Sequence, residues 1–377
     1  HGQLCRQPSE RVIARSVRLL QCLTPAAGGA SAGAVDLAAL RGLCGEGLPD
    51  EIPALRAAAW KLLLGLLPAD VGRWDAALAE ARAAYRDFAG EAGSWLEAPA
   101  PAASRGPGEL LAPKELLEQI TKDVVRTRPE LDFFARHLGS EGEPSMDIRH
   151  GAPLPHLNML QPRCHYDALA RILLVYARLN PGLRYVQGMN ELCAPLYYCF
   201  AQDPLEGAAA EADAFACFNQ LMADRRDSFI KSLDHTEDGM FGITEQLSAL
   251  LRLKDKQVWL HLQAQEVSPI FYAVRWLMLM LTQELEMPDV LRVWDRLLSD
   301  EGQPPLLHYL CVAKVMQMRR GLLAGDFAAC ADLLQRGVAE GLAVDALLAL
   351  AQRLRAEDDT ASAERRGSEA GRRGPGP

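Results

Sequence analysis

HYDALARILLVYARLNPGLRYVQGMN, residues 165–190, is the stretch whose reading decides the fold. Leu169, Ile172, Leu173 and Tyr176 recur at helical spacing, which predicts a helix over 165–179 with one strongly apolar side. Asn180-Pro181-Gly182 then ends it, because proline cannot continue the hydrogen-bond ladder and glycine accepts the turn. Beyond the stop, Tyr185-Val186-Gln187-Gly188-Met189-Asn190 leads into a second apolar helix, expected over 188–201, with Gln187 at its mouth.

The same helical period recurs along the chain, at Ile13, Val17 and Leu20 for instance, and strand-like alternation is almost absent. Helices are expected at about 9–24, 53–66, 73–89, 114–126, 165–179, 188–201, 211–223, 241–264, 269–285, 289–299, 305–321 and 326–354, so the fold class is all-α. Gly28 to Gly33, Ala98 to Gly108 and Gly139 to Pro162 are rich in Gly, Pro and polar residues and read as loops. From about residue 356 to 377 apolar content almost vanishes, and a disordered tail is expected because burial there cannot offset the entropy of ordering. No internal period of a helical solenoid is found.

Composition excludes several functions. A net charge of −9 argues against nucleic acid as a partner, since duplex binding needs a concentrated basic face. The apolar run Ile270 to Leu285 is interrupted by Arg275 and is shorter than the roughly 20 residues that span a bilayer, so it reads as a buried helix. Nine scattered cysteines without a Cys-x-x-Cys pair fit buried thiols in a reduced, intracellular setting, and no metal site is expected. Zinc would require Cys164, His165, Cys193 and Cys199 to converge in space.

Enzymatic frames are missing too. A P-loop needs a Gly-Lys pair to cradle phosphates, and none occurs. Gly29-Ala30-Ser31-Ala32-Gly33 has the letters of a serine elbow but no strand before it, and reads as a linker. No His-Glu-x-x-His helix appears. Any chemistry therefore acts on something brought to the chain.

Two motifs point to that chemistry. Ile120-Thr121-Lys122-Asp123-Val124-Val125-Arg126, followed by Thr127-Arg128-Pro129, reads as a helix end stopped by the proline. Asp123 and Arg126 stand three apart, a spacing at which a carboxylate holds a guanidinium in place before a partner arrives. Taken alone, the pair also reads as an ordinary surface ion pair of little worth. In the second motif Gln187 offers a donor and an acceptor, enough to orient a water while touching a phosphate oxygen. Alone, it also reads as a helix-start glutamine beside a packed Tyr185.

Together these segments resemble the I-x-x-D-x-x-R and Y-x-Q signatures of the TBC-domain family of Rab GTPase activators. Ile52-Pro53 with Leu55-Arg56 and Trp60-Lys61-Leu62-Leu63 resembles the family's opening, and Pro288 to Asp295 a late segment. The likeness spans about 45–345, which leaves 1–44 as an N-terminal helical extension. The resemblance implies a two-lobed all-helical domain whose groove receives a Rab in its GTP form. Arg126 would be the arginine finger and Gln187 the glutamine finger, with Asp123, Tyr185, Ile120 and Asn190 in support. The chain would be an enzyme activator without a cofactor of its own, because GTP and Mg²⁺ belong to the partner. It would be cytoplasmic and recruited to endomembranes peripherally through the Rab. The alternative left open is a TBC-like Rab-binding scaffold without catalytic activity. Arg275-Trp276, Trp294-Asp295, Tyr197, Tyr198 and Phe200 read as core, and the resemblance implies a structural role near the groove for Arg56 and Trp60.

Overall fold

A computed structural model describes residues 10–24, 33–97, 113–139, 157–229, 240–336 and 343–372. The linker residues 29–32, all of 98–108 and residues 140–156 lie outside the described residues. Among the described residues the regular structure is helical, with isolated bridges only at Ala34–Asp70 and His137–Cys164. Backbone contacts divide the chain into two compact units, His1–Phe229 and Ile230–Pro377.

The first unit is built from α1 (Glu10–Leu23), α2 (Leu37–Glu46), α3 (Pro53–Leu63), α4 (Trp74–Gly90), α5 (Ala92–Glu97), α6 (Pro113–Val124), α7 (His165–Leu179), α8 (Met189–Ala201) and α9 (Ala210–Arg225). Helices α7 and α8 are apolar on nearly every side and form its centre, with α6 and α9 packed on both of them. Helix α2 has no counterpart among the expected spans. Its Gly42 and Gly45 thin out the apolar period, and only Leu40 and Cys44 are buried along it, while Asp36 caps its start. Residue 44 falls inside α2, and α1 and α2 both pack on α3.

Helix α1 forms where expected but turns the other way. Ile13, Val17 and Leu20 are about half exposed, while Ser16, Leu19 and Leu23 face inward. Periodicity identifies a helix; which of its sides is buried depends on where neighbouring helices lie.

The second unit comprises α10 (Met240–Lys254), α11 (Lys256–Ala264), α12 (Ala273–Met278), α13 (Met287–Leu298), α14 (Leu306–Gln317), α15 (Arg319–Ala324), α16 (Phe327–Arg336) and α17 (Val344–Arg372). Helix α14 is its core, buried over Leu306–Val315 and packed against α17, α10 and α12. The continuous helix expected over 269–285 is broken. Met280 and Leu281 adopt left-handed backbone angles (φ 50° and 60°), and Leu281 N–H donates back to Trp276 O at 2.9 Å, a helix-ending pattern. Trp276, Trp294 and Asp295 are core residues as expected, whereas Arg275 is partly exposed and pairs with Glu284. The indole N–H of Trp276 has no hydrogen-bond partner among the described residues; its ring instead carries the buried ammonium of Lys314, 4.0 Å from the centroid and 2.5 Å from Glu284.

Helical structure continues past residue 356. Helix α17 runs to Arg372, and Asp358 accepts from Lys254 Nζ and from Tyr309 OH, each at 2.8 Å. Polar partners supplied by α10 and α14 substitute there for the missing apolar burial.

Buried charge ties the first unit together. Asp213 of α9 is fully buried and holds Lys61 of α3 at 2.6 Å and the guanidinium of Arg82 of α4 through two contacts at 2.8 Å. Removing that carboxylate strands the buried Lys61 ammonium and leaves Arg82 with Glu206 as its remaining partner. Asp213→Ala is therefore expected to cost roughly 3–5 kcal/mol of unfolding free energy, read by urea denaturation. A loss below about 1 kcal/mol, the range of an exposed pair, would contradict this role.

Candidate functional site

Helix α6 ends at Val124, and the next amides close tight turns, with Arg126 N–H donating to Asp123 O at 3.1 Å and Thr127 N–H to Val124 O at 2.9 Å. Pro129 cannot donate and restricts the residue before it, and Arg128 takes a left-handed φ of 52°. The turn sorts the two arginines. Arg128 goes inward, 6% exposed, with its side chain 3.4 Å from Glu130 and 3.8 Å from Glu191. Arg126 points to solvent and makes no side-chain hydrogen bond or ion pair among the described residues.

Asp123 does not grip Arg126 in the way the i,i+3 spacing suggests. That spacing brings side chains together only within a continuing helix, and the helix has stopped between the two residues. The half-buried carboxylate instead accepts from Tyr185 OH at 2.8 Å. Burial raises the pKa of Asp123 above its ordinary value, opposed by the Tyr185 hydrogen bond and then by the nearby Arg126 charge. Tyr185 is itself pushed up by burial and by Asp123, so it stays protonated and available as a donor.

On the other side, Gly188 precedes α8 with φ 103°, a conformation in which any side chain would be strained. This turn leaves Gln187 exposed, and its carboxamide has no partner among the described residues. Asn190, 5% exposed in the first turn of α8, fastens the loop to the end of α6. Its Oδ1 accepts from Gly188 N–H at 3.2 Å and lies 3.1 Å from Tyr185 OH; its Nδ2 donates to Thr127 Oγ1 at 2.8 Å and approaches Asp123 O at 3.5 Å. Ile120 is fully buried on α6, one turn before Asp123, and acts through packing.

All six residues singled out by sequence thus fall on the facing ends of α6 and α8. Four of them, Asp123, Tyr185, Asn190 and Ile120, are held inside or half inside; Arg126 and Gln187 are left outside. Thr127, Arg128 and Tyr166 escaped the sequence reading. Thr127 is fully buried, its hydroxyl donates to Asp123 O at 3.0 Å, and its carbonyl accepts from Tyr166 OH of α7 at 3.0 Å. A threonine between two arginines carries no apolar period that would mark it as buried.

Cys164, His165, Cys193 and Cys199 do not form a metal cluster. Cys164 begins α7, its thiol pushed up to about 11 by burial, and His165 Nδ1 pairs with Tyr197 OH at 2.7 Å while its ring stacks on Phe133. Among the described residues no group of three His, Cys, Asp or Glu side chains could hold a metal ion, and no helix is long and apolar enough to cross a membrane.

Residues 145–323 match the family model for the Rab-GTPase-TBC domain, a span that includes Tyr185–Asn190 and begins after Arg126. TBC1 domain family member 13 of Homo sapiens is 34% identical over 362 residues, covering 80% of this chain and 90% of the relative. Its Mus musculus namesake is 35% identical, covering 78% and 88%. The crystal structure of the Ypt/Rab-GAP domain of Gyp1p superposes with a TM-score of 0.71 at 21% identity, over 93% of this chain and 99% of that one.

The Tyr185–Asp123 bond yields a test by titration. Asp123 is expected to titrate above an ordinary aspartate, followed by its side-chain carbon shift in NMR, and Tyr185→Phe is expected to move it higher still by removing a donor to the charged form. The sign for stability follows: with the folded pKa above the unfolded one, the contribution of Asp123 is complete below the unfolded value and is lost as pH rises through the folded value. A Tyr185→Phe variant whose Asp123 titrates lower than in the wild type would contradict the bond's direction.

Proposed function

The chain belongs to the TBC-domain family of Rab GTPase-activating proteins, and from that premise we propose that it accelerates GTP hydrolysis on a Rab-type GTPase by lending it Arg126 and Gln187. The partner in its GTP form brings the nucleotide and Mg²⁺. The observation that carries the reading is that Arg126 and Gln187 are both solvent-facing and unpartnered among the described residues, on two segments otherwise tied down by hydrogen bonds.

Phosphoryl transfer through a loose transition state spreads charge over the γ-phosphate oxygens. A guanidinium is permanently charged and planar, with several donors in a fixed fork, and suits that charge better than an ammonium does. Arg126 would neutralise it, an effect worth roughly 10³–10⁵ in rate when the arginine is supplied in trans. Gln187 would orient the attacking water through one end of its carboxamide and touch the phosphate through the other. Holding the backbone of both segments before the partner arrives reduces what must be ordered at the moment of reaction. Recruitment to endomembranes through the Rab would place the chain in the cytoplasm.

Single-turnover GTP hydrolysis across a panel of Rab proteins tests the proposal. Stimulation of at least one Rab is expected, with Arg126→Lys and Arg126→Ala both losing most of it while helix content by circular dichroism stays unchanged. A lysine variant that keeps most of the stimulation would remove Arg126 from this role. Binding to a Rab without any stimulation by the wild-type chain would instead identify a non-catalytic Rab-binding module.

A further inference from the structure

Thr127 and Asn190 stand out because neither faces solvent and neither belongs to the pair of fingers, yet each touches the backbone of a finger segment. Thr127 directly follows Arg126 and is fully buried. All its polar groups are engaged: its amide donates to Val124 O, its hydroxyl donates to Asp123 O and accepts from Asn190 Nδ2, and its carbonyl accepts from Tyr166 OH. Asn190 in turn receives the amide of Gly188, the residue after Gln187. A continuous hydrogen-bonded chain therefore runs from the residue after one finger to the residue after the other: Thr127 Oγ1, Asn190 Nδ2, Asn190 Oδ1, Gly188 N.

We propose that Thr127 and Asn190 are a positioning pair that sets the two finger segments as one unit, so that loosening either end loosens both. The inference rests on the Rab-directed reading for its kinetic consequence, and on geometry alone for the mechanical coupling. Deleting the Thr127 hydroxyl leaves Asn190 Nδ2 with only its 3.5 Å approach to Asp123 O, and deleting the Asn190 carboxamide orphans the Gly188 amide; buried groups have no water to turn to, so the segment shifts to find a new partner. Because Asn190 uses one end for each segment, that shift is transmitted to the other side. Arg126 and Gln187 themselves keep their chemistry; only their placement changes.

The test uses the full chain with Thr127→Val, Thr127→Ser, Asn190→Ala and the Thr127→Val/Asn190→Ala double variant. Amide hydrogen exchange is followed over 124–128 and 186–189, together with single-turnover stimulation of a responsive Rab at increasing chain concentration. Thr127→Val and Asn190→Ala are each expected to raise exchange roughly ten-fold in both segments, with Thr127→Ser close to wild type because its hydroxyl is retained. The maximal stimulated rate should fall roughly ten- to hundred-fold in both single variants, with the half-saturating concentration nearly unchanged, and the double variant should be little worse than either single. Exchange that rises only in the segment carrying the substitution, or a double variant whose loss is the full product of the single losses, would overturn the coupling. Should Thr127→Val fail to fold, Asn190→Ala reads the same coupling from the other side. If the wild-type chain stimulates no Rab, the Rab-directed reading fails, and the exchange data still decide for or against the pair.

Discussion

The C-terminal end of α6 and the N-terminal end of α8 meet inside the first unit, where backbone groups left over by each helix cannot be handed to water. Every helix ends with unpaired carbonyls and begins with unpaired amides, and burying them without partners costs free energy that a marginally stable domain cannot spare. Here Asp123 O accepts the amide of Arg126 and the hydroxyl of Thr127, while the amide of Gly188 is received by Asn190. Tyr185 closes the arrangement by donating to the Asp123 carboxylate. Once these groups have satisfied one another, the residues between them have only one direction left for their side chains, and Arg126 and Gln187 face outward. Exposure of Arg126 and Gln187 is thus a consequence of how completely their neighbours are bonded.

Each unit carries a second device of the same kind, a buried ion pair that joins helices distant in sequence. In the first unit Asp213 collects Lys61 and Arg82 from α3 and α4; in the second, Glu284 receives Lys314, whose ammonium also rests on Trp276. Burial lowers the pKa of Lys314 while Glu284 works to raise it, the balance expected of a charge kept in the core by one well-placed partner. Such pairs add less net stability than their distances suggest, but deleting one member is severe. They fix which helices are neighbours, and in the first unit they brace α9, which packs on the α7–α8 core that carries Asn190 and the start of the Gln187 turn.

The helical character of the chain was legible because a 3.6-residue apolar period survives at most helices, with Leu169, Ile172, Leu173 and Tyr176 all buried as read. The structure departs from the apolar period where periodicity carries no information. Helix α2 has too few apolar positions to register, α1 buries Leu19 and Leu23 instead of its more conspicuous Ile13–Val17–Leu20 stripe, and the turn at Met280–Leu281 is hidden within an unbroken apolar run. At the site, the paired motifs converge on the facing ends of α6 and α8, while an Asp123–Arg126 grip would need a helix that in fact ends one residue after Asp123. Thr127 and Arg128 were invisible for the opposite reason: a polar residue gains its importance from a partner far along the chain, here Asn190 and Glu191, and single-chain spacing does not report such partners.

What distinguishes the proposed two-finger mechanism from an ordinary arginine finger is the claim that Gln187 takes over the task of orienting water. The direct measurement is single-turnover GTP hydrolysis by a responsive Rab whose own switch glutamine has been replaced by leucine or alanine, in the presence of wild-type or Gln187→Ala chain, with the melting temperature of each variant as control. The wild-type chain should still stimulate the glutamine-less Rab substantially, and Gln187→Ala should not, because no carboxamide remains to hold the nucleophile. A wild-type chain that stimulates the unaltered Rab but leaves the glutamine-less Rab at its basal rate would contradict the mechanism.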